Sequence, residues 1–192
     1  NPIKPGKLLP DQLAMRKIKN SFVQNGFNEV LSYSLVSENN DDLIKISNPL
    51  LLETSCLRDN IWNEHLEIVN RNIKAGQTSC YIFEVGNVFY KNSDFIQEEI
   101  LNGAIFGNRK FGKWVNSSKD NELNYYQARG KLKEALSCLN IKIDDKPTNS
   151  IEFLHPGRSA KLFIEGKDAG FFGQIHPKLI LEKKALKKTY LF

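Results

Sequence analysis

With 192 residues, 41% of them hydrophobic and 26% charged, the chain is long enough to bury one sizeable core and too short for two comfortable domains. No apolar run approaches the roughly 20 residues that span a bilayer, no basic and apolar leader opens the chain, and Cys56, Cys80 and Cys138 are too scattered for a disulfide framework or a zinc site, so a soluble protein of the reducing cytoplasm is expected. The formal charge of +5 and a pI near 9.0 permit an acidic partner such as RNA without requiring one.

Asn1 to Leu9, with two prolines and a glycine, reads as the tail of a linker from a preceding domain, and residues 10–192 as one domain. Pro10 and Asp11 open a helix in which Ala14, Met15, Ile18, Phe22 and Val23 share a face and which Gly26 ends. Glu29 to Val36 alternates as a strand, with Leu31, Tyr33 and Leu35 on one side and Ser32 and Ser34 on the other. Ser37 can cap a short turn through Asp42, and Leu43 to Ile46 returns to β structure. Asn48-Pro49 is a turn, because proline fixes its own φ and pushes the preceding residue out of the helical region.

From Asn60 to Ile73 the apolar residues Ile61, Trp62, His65, Leu66, Ile68, Val69 and Ile73 recur at helical steps, and Gly76 stops the helix. Tyr81, Phe83 and Val85 then alternate with Cys80, Ile82 and Glu84. Gly86-Asn87 is expected as a tight hairpin connection before Val88-Phe89-Tyr90. Ile100 to Phe106 is a further strand, and Asn108 to Glu122, polar and basic with Trp114 inside it, reads as a long mobile loop. Tyr125, Ala128, Leu132, Ala135, Leu136 and Leu139 mark a second long helix. Ile141 to Ile143 and Ile151 to Leu154 are short β candidates. Ala160 to Glu165 and Ala169 to His176 make a hairpin through Gly166-Lys167-Asp168, Pro177 starts a last helix to about Lys184, and Tyr190-Leu191-Phe192 reads as a strand cut short. Strands paired as hairpins with helices between groups of them define an α+β domain, an antiparallel β-sheet flanked by helices.

Side-chain chemistry is sparse. His65, His155 and His176 lack the close spacing of a metal helix. His155-Pro156-Gly157-Arg158-Ser159 combines an imidazole, a guanidinium, a hydroxyl and a glycine, but with no catalytic partner beside it the loop reads as a structured turn. Ser159 lacks a nucleophile-elbow pattern. Arg58 is expected to pair with Asp59 or Glu84, or to reach a partner chain. Lys183, Lys184, Lys187 and Lys188 cluster without interleaved aromatics or arginine, as on a solvated helix face.

The run Asn48-Pro49-Leu50, Glu53, Ser55 and Leu57-Arg58, followed by Phe83-Glu84-Val85-Gly86-Asn87-Val88-Phe89, resembles the β subunit of bacterial phenylalanyl-tRNA synthetase in its catalytic-like core. So do Gly26 to Val30 with Tyr33-Ser34, Gly130-Lys131-Leu132, Leu154 to Ala160, and Gly173 through His176-Pro177. The resemblance implies a class II aminoacyl-tRNA synthetase catalytic-like fold. It implies an (αβ)2 heterotetramer in which the α chain binds phenylalanine, ATP and Mg²⁺ and aminoacylates tRNA(Phe). It also implies that the editing and anticodon-binding parts of the β subunit lie outside these residues.

Active relatives of that fold meet the α-phosphate of ATP with the arginine of a Phe-Arg pair; the comparable residue here is Tyr90, and a phenol cannot replace a guanidinium. The second expected element, a glycine-rich strand ending in arginine, is not matched by Ala169 to Gln174, which runs into His176-Pro177. This chain is therefore expected to hold no catalytic residue, cofactor or metal of its own, ATP and Mg²⁺ belonging to the holoenzyme. It is expected to dock to the α chain through the helix face of Ile61, Trp62, His65 and Val69. Two other readings follow: a residual ATP or amino-acid site, and direct tRNA contact through Lys110, Lys113, Lys183, Lys184, Lys187 and Lys188.

Overall fold

A computed structural model describes residues 6–38, 42–108, 122–182 and 188–192. The chain runs α1 (Pro10–Gln24), β1 (Asn28–Glu29), β2 (Leu35–Val36), β3 (Ile44–Lys45), a 3-10 turn (Leu52–Thr54) and β4 (Cys56–Leu57). It continues through α2 (Trp62–Lys74), β5 (Ser79–Asn92), β6 (Asp94–Gly107), α3 (Tyr125–Ser137), β7 (Asp144–Pro147), β8 (Leu154–Ile164), β9 (Lys167–Ile175), α4 (Pro177–Glu182) and β10 (Thr189–Leu191). Seven strands form one sheet in the order β1-β5-β6-β10-β9-β8-β7, and β2-β4-β3 form a small second sheet. β1 runs parallel to β5, whereas the other pairs are antiparallel.

Because β5 has period two, its side chains feed two cores. Tyr81 and Phe83 join Phe22 and Phe27 from the α1 end, Ala128, Leu132 and Ala135 of α3, and Phe172, Tyr190 and Phe192. Cys80 and Ile82 face the other way, meeting Leu66 and Val69 of α2 with Ala104, Leu154, Ile175 and Leu191. Helices thus cover both faces of the sheet, as its two-sided apolar strands require. Asn124 and Gln127 cap α3 reciprocally, Gln127 N donating to Asn124 Oδ1 at 3.0 Å and Asn124 N to Gln127 Oε1 at 2.9 Å; satisfying these otherwise unpaired amides fixes where the helix starts.

Several expected boundaries move. Gly86-Asn87 lies inside β5, paired with Ile100 and Glu99, and the connection to β6 falls instead at Ser93, which adopts a φ of 61° between the paired Asn92 and Asp94. The glycine is needed there for side-chain room, not for a turn. The single strand expected over Glu29 to Val36 divides into β1 and β2, because the segment leaves β5 and crosses to β4. Val23 is exposed, so the buried end of α1 rests on Phe22 and Ser21. Ile141 to Ile143 forms no strand, since Ile141 closes the end of α3 by donating its amide to Leu136 O at 3.2 Å. Ile151 to Phe153 is a turn leading into β8.

Candidate partner-docking site

Arg58 leaves β4 and turns inward. Its Nη2 meets Glu84 Oε1 at 3.0 Å, its Nε donates to Asn87 O at 2.8 Å and its Nη1 donates to Ser32 Oγ at 2.7 Å. Both side chains of the ion pair are 3% exposed. The second carboxylate oxygen, Oε2, accepts from Ser32 N at 3.1 Å and Ser32 Oγ at 2.6 Å, and His65 Nε2 lies 3.5 Å away. Burial pushes the Glu84 carboxyl up, but the nearby His65 imidazole, the hydrogen bonds from Ser32 and the Arg58 charge outweigh it and hold the group at about 2. Of the two partners the sequence offered for Arg58, the fold selects Glu84.

This buried cluster anchors residues 30–36 from below, on alternate residues. Val30 N donates to Phe83 O at 2.9 Å, Ser32 bonds Glu84, and Ser34 O accepts from Arg58 N at 3.0 Å. The intervening residues point outward, Leu31 being 83% and Tyr33 85% exposed, with Leu35 also exposed. The neighbouring 3-10 turn and the residues before it add Leu50 at 97% and Leu52 at 85%, with Leu51 exposed between them. Asn48 and Pro49 lead into this leucine run. Six large exposed apolar side chains within residues 31–52, on segments that meet where β2 contacts the 3-10 turn, are more than scattered surface leucines, and concentrations of this kind mark interaction sites.

The helix face expected to meet a partner is consumed by the domain itself. Ile61, His65 and Val69 have no exposed surface, and Trp62 stacks on Phe153 with ring centroids 4.6 Å apart at 11°. The apolar stripe of α2 packs on its own sheet, which leaves Ile61, His65 and Val69 no surface to offer another chain.

The remaining motif residues hold backbone together. β8 bulges between Leu154 and Ser159. His155 Nδ1 accepts from Gly157 N at 3.0 Å around Pro156, and Ser159 Oγ donates to Thr148 O at 2.7 Å and His155 O at 3.0 Å. A Cβ at Gly173 would come within 2.8 Å of Leu154 Cδ1 and 2.9 Å of Ser159 Cβ, so glycine lets the bulge close on β9. His176 caps α4 ahead of Pro177, its Nδ1 accepting from Lys178 N at 3.1 Å. Leu57 pairs with Leu35 and Ile44, Phe83 is core, and Phe89 takes the backbone hydrogen bond from its N to Arg58 O at 2.9 Å.

Tyr90, at the position the resemblance equates with a phosphate-binding arginine, donates its hydroxyl to Glu98 Oε2 at 3.1 Å on the outer part of the β5–β6 hairpin. Among the described residues no group of three His, Cys, Asp or Glu could hold a metal ion, and no helix is long and apolar enough to cross a membrane. Lys110, Lys113, Lys183, Lys184 and Lys187 lie outside the described residues, as does most of the expected loop around Trp114. Lys188 is ion-paired with Glu122 at 2.6 Å.

A seven-stranded, largely antiparallel sheet with helices on both faces defines an α+β domain. The chain matches the fold of a pyrrolysyl tRNA synthetase, PylSc of Desulfitobacterium hafniense, with a TM-score of 0.61 over 95% of this chain and 64% of that one, at 14% identity. The family model described as the phenylalanyl tRNA synthetase beta chain CLM domain matches residues 1–192, and the chain belongs to that family. It is 81% identical over its whole length to the phenylalanine–tRNA ligase beta subunit of Prochlorococcus marinus (strain MIT 9312), of which it covers 24%. It is 43% identical to that of Synechococcus sp. (strain CC9902), again covering 24%. The chain thus spans about a quarter of these relatives.

Proposed function

We infer that this domain is the non-catalytic, synthetase-like core of a phenylalanyl-tRNA synthetase β chain, and that it docks to the catalytic α chain of an (αβ)2 assembly. In this reading the α chain binds phenylalanine, ATP and Mg²⁺ and attaches phenylalanine to tRNA(Phe), while the β core contributes a rigid shoulder on which α is held. The observation that carries it is the outward apolar edge of Leu31, Tyr33, Leu35 and Leu50 to Leu52, on a domain whose polar motif residues are spent on its own backbone. The relatives' name, beta subunit, supplies the partner class.

Charge supports a protein on that edge over a nucleic acid. Among described residues 29–57 there is one basic side chain, Lys45, and it is ion-paired with Glu38, whereas Glu29, Glu38, Asp42 and Glu53 are acidic. Glu29 is itself ion-paired with Lys19, so the segment offers phosphates no cluster of basic side chains, and an apolar partner surface would fit. The test is to co-express the full-length β chain carrying Tyr33→Asp with the α chain and to measure assembly and phenylalanylation. Loss of both, with β5 and β6 amides still protected from exchange, is expected. Assembly that survives in the variant would place α elsewhere.

A further inference from the structure

Exposed leucines usually collapse inward, and the segment 30–36 has no long strand ladder to prevent it. What keeps Leu31 and Tyr33 outside is the pull on the residue between them. Ser32 gives both its amide and its hydroxyl to Glu84 Oε2, while the same hydroxyl accepts from Arg58 Nη1. Since successive residues of an extended segment point to opposite sides, fixing Ser32 inward fixes its neighbours outward.

Resting on the docking reading above, we propose that Ser32 is a positioning residue for α-chain docking: held by Glu84 and Arg58, it pre-orders Leu31 and Tyr33 as outward anchors before the partner arrives. An ordered apolar edge meets its partner without first losing the freedom of a loose loop, and this gain in preorganisation is an affinity term separate from the contacts themselves. The Ser32 hydroxyl is suited to the role because it donates and accepts at once, bridging the two charges of the pair; alanine can do neither, whereas threonine retains both. The device is local. Ser32 lies at the outer margin of the ion pair, and Arg58 keeps its bonds to Glu84 and Asn87 when the hydroxyl is gone.

The experiment uses the full-length β chain and its α partner, with Ser32→Ala, Ser32→Thr and Tyr33→Asp compared for α–β dissociation constant and for hydrogen exchange of the free β chain. Ser32→Ala is expected to weaken docking about tenfold. It should speed exchange in residues 31–36 while leaving the β5 and β6 amides protected, and Ser32→Thr should recover most of the affinity. If Tyr33→Asp abolishes docking and Ser32→Ala leaves it unchanged, the positioning role is wrong and the docking edge stands. If β5 and β6 lose protection together with docking in Ser32→Ala, the residue is a structural one only and the proposal fails. If docking is indifferent to Tyr33→Asp, or if Leu31 and Tyr33 are already protected by another part of the free β chain, the edge is not the α surface and both readings fall.

Discussion

Arg58 and Glu84, 26 residues apart in sequence, meet with Nη2 and Oε1 3.0 Å apart and almost no exposure, in the narrow space above Gly86. Charges taken out of water are tolerated only when their remaining donors and acceptors are met, and here Ser32, His65 and the Asn87 carbonyl gather round the pair. The fold therefore carries one point where a small steric change should have a large effect.

That point is Gly86. A Cβ there would lie 2.5 Å from Arg58 Nη2, 2.8 Å from Glu84 Oε1 and 3.3 Å from Ile61 Cδ1. The end of an arginine moves easily on a surface, but this one is pinned by three hydrogen bonds and enclosed. Gly86→Ala is expected to cost about 2–4 kcal/mol, combining overpacking with a strained buried pair. Denaturant unfolding measures it directly. A cost under about 1 kcal/mol would mean the guanidinium has room to retreat.

The same pair sets an acid limb. The Glu84 carboxyl titrates at about 2 in the folded chain against an ordinary 4.5, so the folded state holds fewer protons than the unfolded one across that interval. A depressed carboxylate contributes stability that is complete above its unfolded value and is lost as pH falls through the folded one. The window is roughly pH 4.5 down to 2, and the contribution at neutral pH is about 3 kcal/mol. Unfolding midpoints measured across this interval should fall with acid, and Glu84→Gln should flatten the slope while lowering stability at neutral pH.

Periodicity made most of the fold legible. The helix over Asn60 to Ile73, the helix from Tyr125 and the hairpin around Gly166 all follow from spacing and a stop residue. Spacing cannot say what covers an apolar stripe. The α2 face of Ile61, His65 and Val69 has the pattern of a docking helix and is used by its own sheet. The alternation of Leu31, Ser32, Tyr33 and Ser34 was equally readable, yet an alternating strand ordinarily turns its leucines inward. Here Ser32 faces in because its hydroxyl bridges the buried Arg58–Glu84 pair, assembled from distant segments, while Ser34 is held by its backbone carbonyl on Arg58 N. Gly86 misleads for the same reason: its glycine answers to a guanidinium 28 positions away in numbering, a constraint no local turn rule contains.

Glu64, on the same helix as His65, should behave in the opposite sense to Glu84. Burial raises its carboxyl, against the lowering effect of a backbone hydrogen bond and of Arg58, with Glu84 and Asp59 adding to the rise. Its Oε2 is buried without a hydrogen-bond partner. A raised folded value means that the folded state binds more protons, so this group's contribution falls as pH rises through the carboxylate range. Glu64→Gln is expected to leave stability at acid pH unchanged and to add up to about 1 kcal/mol at neutral pH. A loss of stability at neutral pH would instead show that the charge of Glu64 is needed near Arg58.

Trp62 separates holding the fold from holding the partner. It lies flat on Phe153, whose ring meets Phe171 edge-on with centroids 5.2 Å apart at 76°, and so ties α2 to the β8 and β9 side of the sheet. Removing it deletes a half-buried aromatic contact rather than surface area offered to another chain. Trp62→Ala should cost about 2–3 kcal/mol in unfolding free energy, with roughly 1 kcal/mol of coupling to Phe153 in a double-mutant cycle with Phe153→Ala. With α docked on the proposed edge of Leu31, Tyr33 and the Leu50 to Leu52 run, the α–β dissociation constant of the folded variant should remain that of the wild type. Tyr33→Asp should show the reverse, weakened docking at unchanged unfolding energy. Should Trp62→Ala abolish docking while its stability is unaltered, α2 would regain the role its sequence first indicated, and the stacked geometry would have to open on assembly.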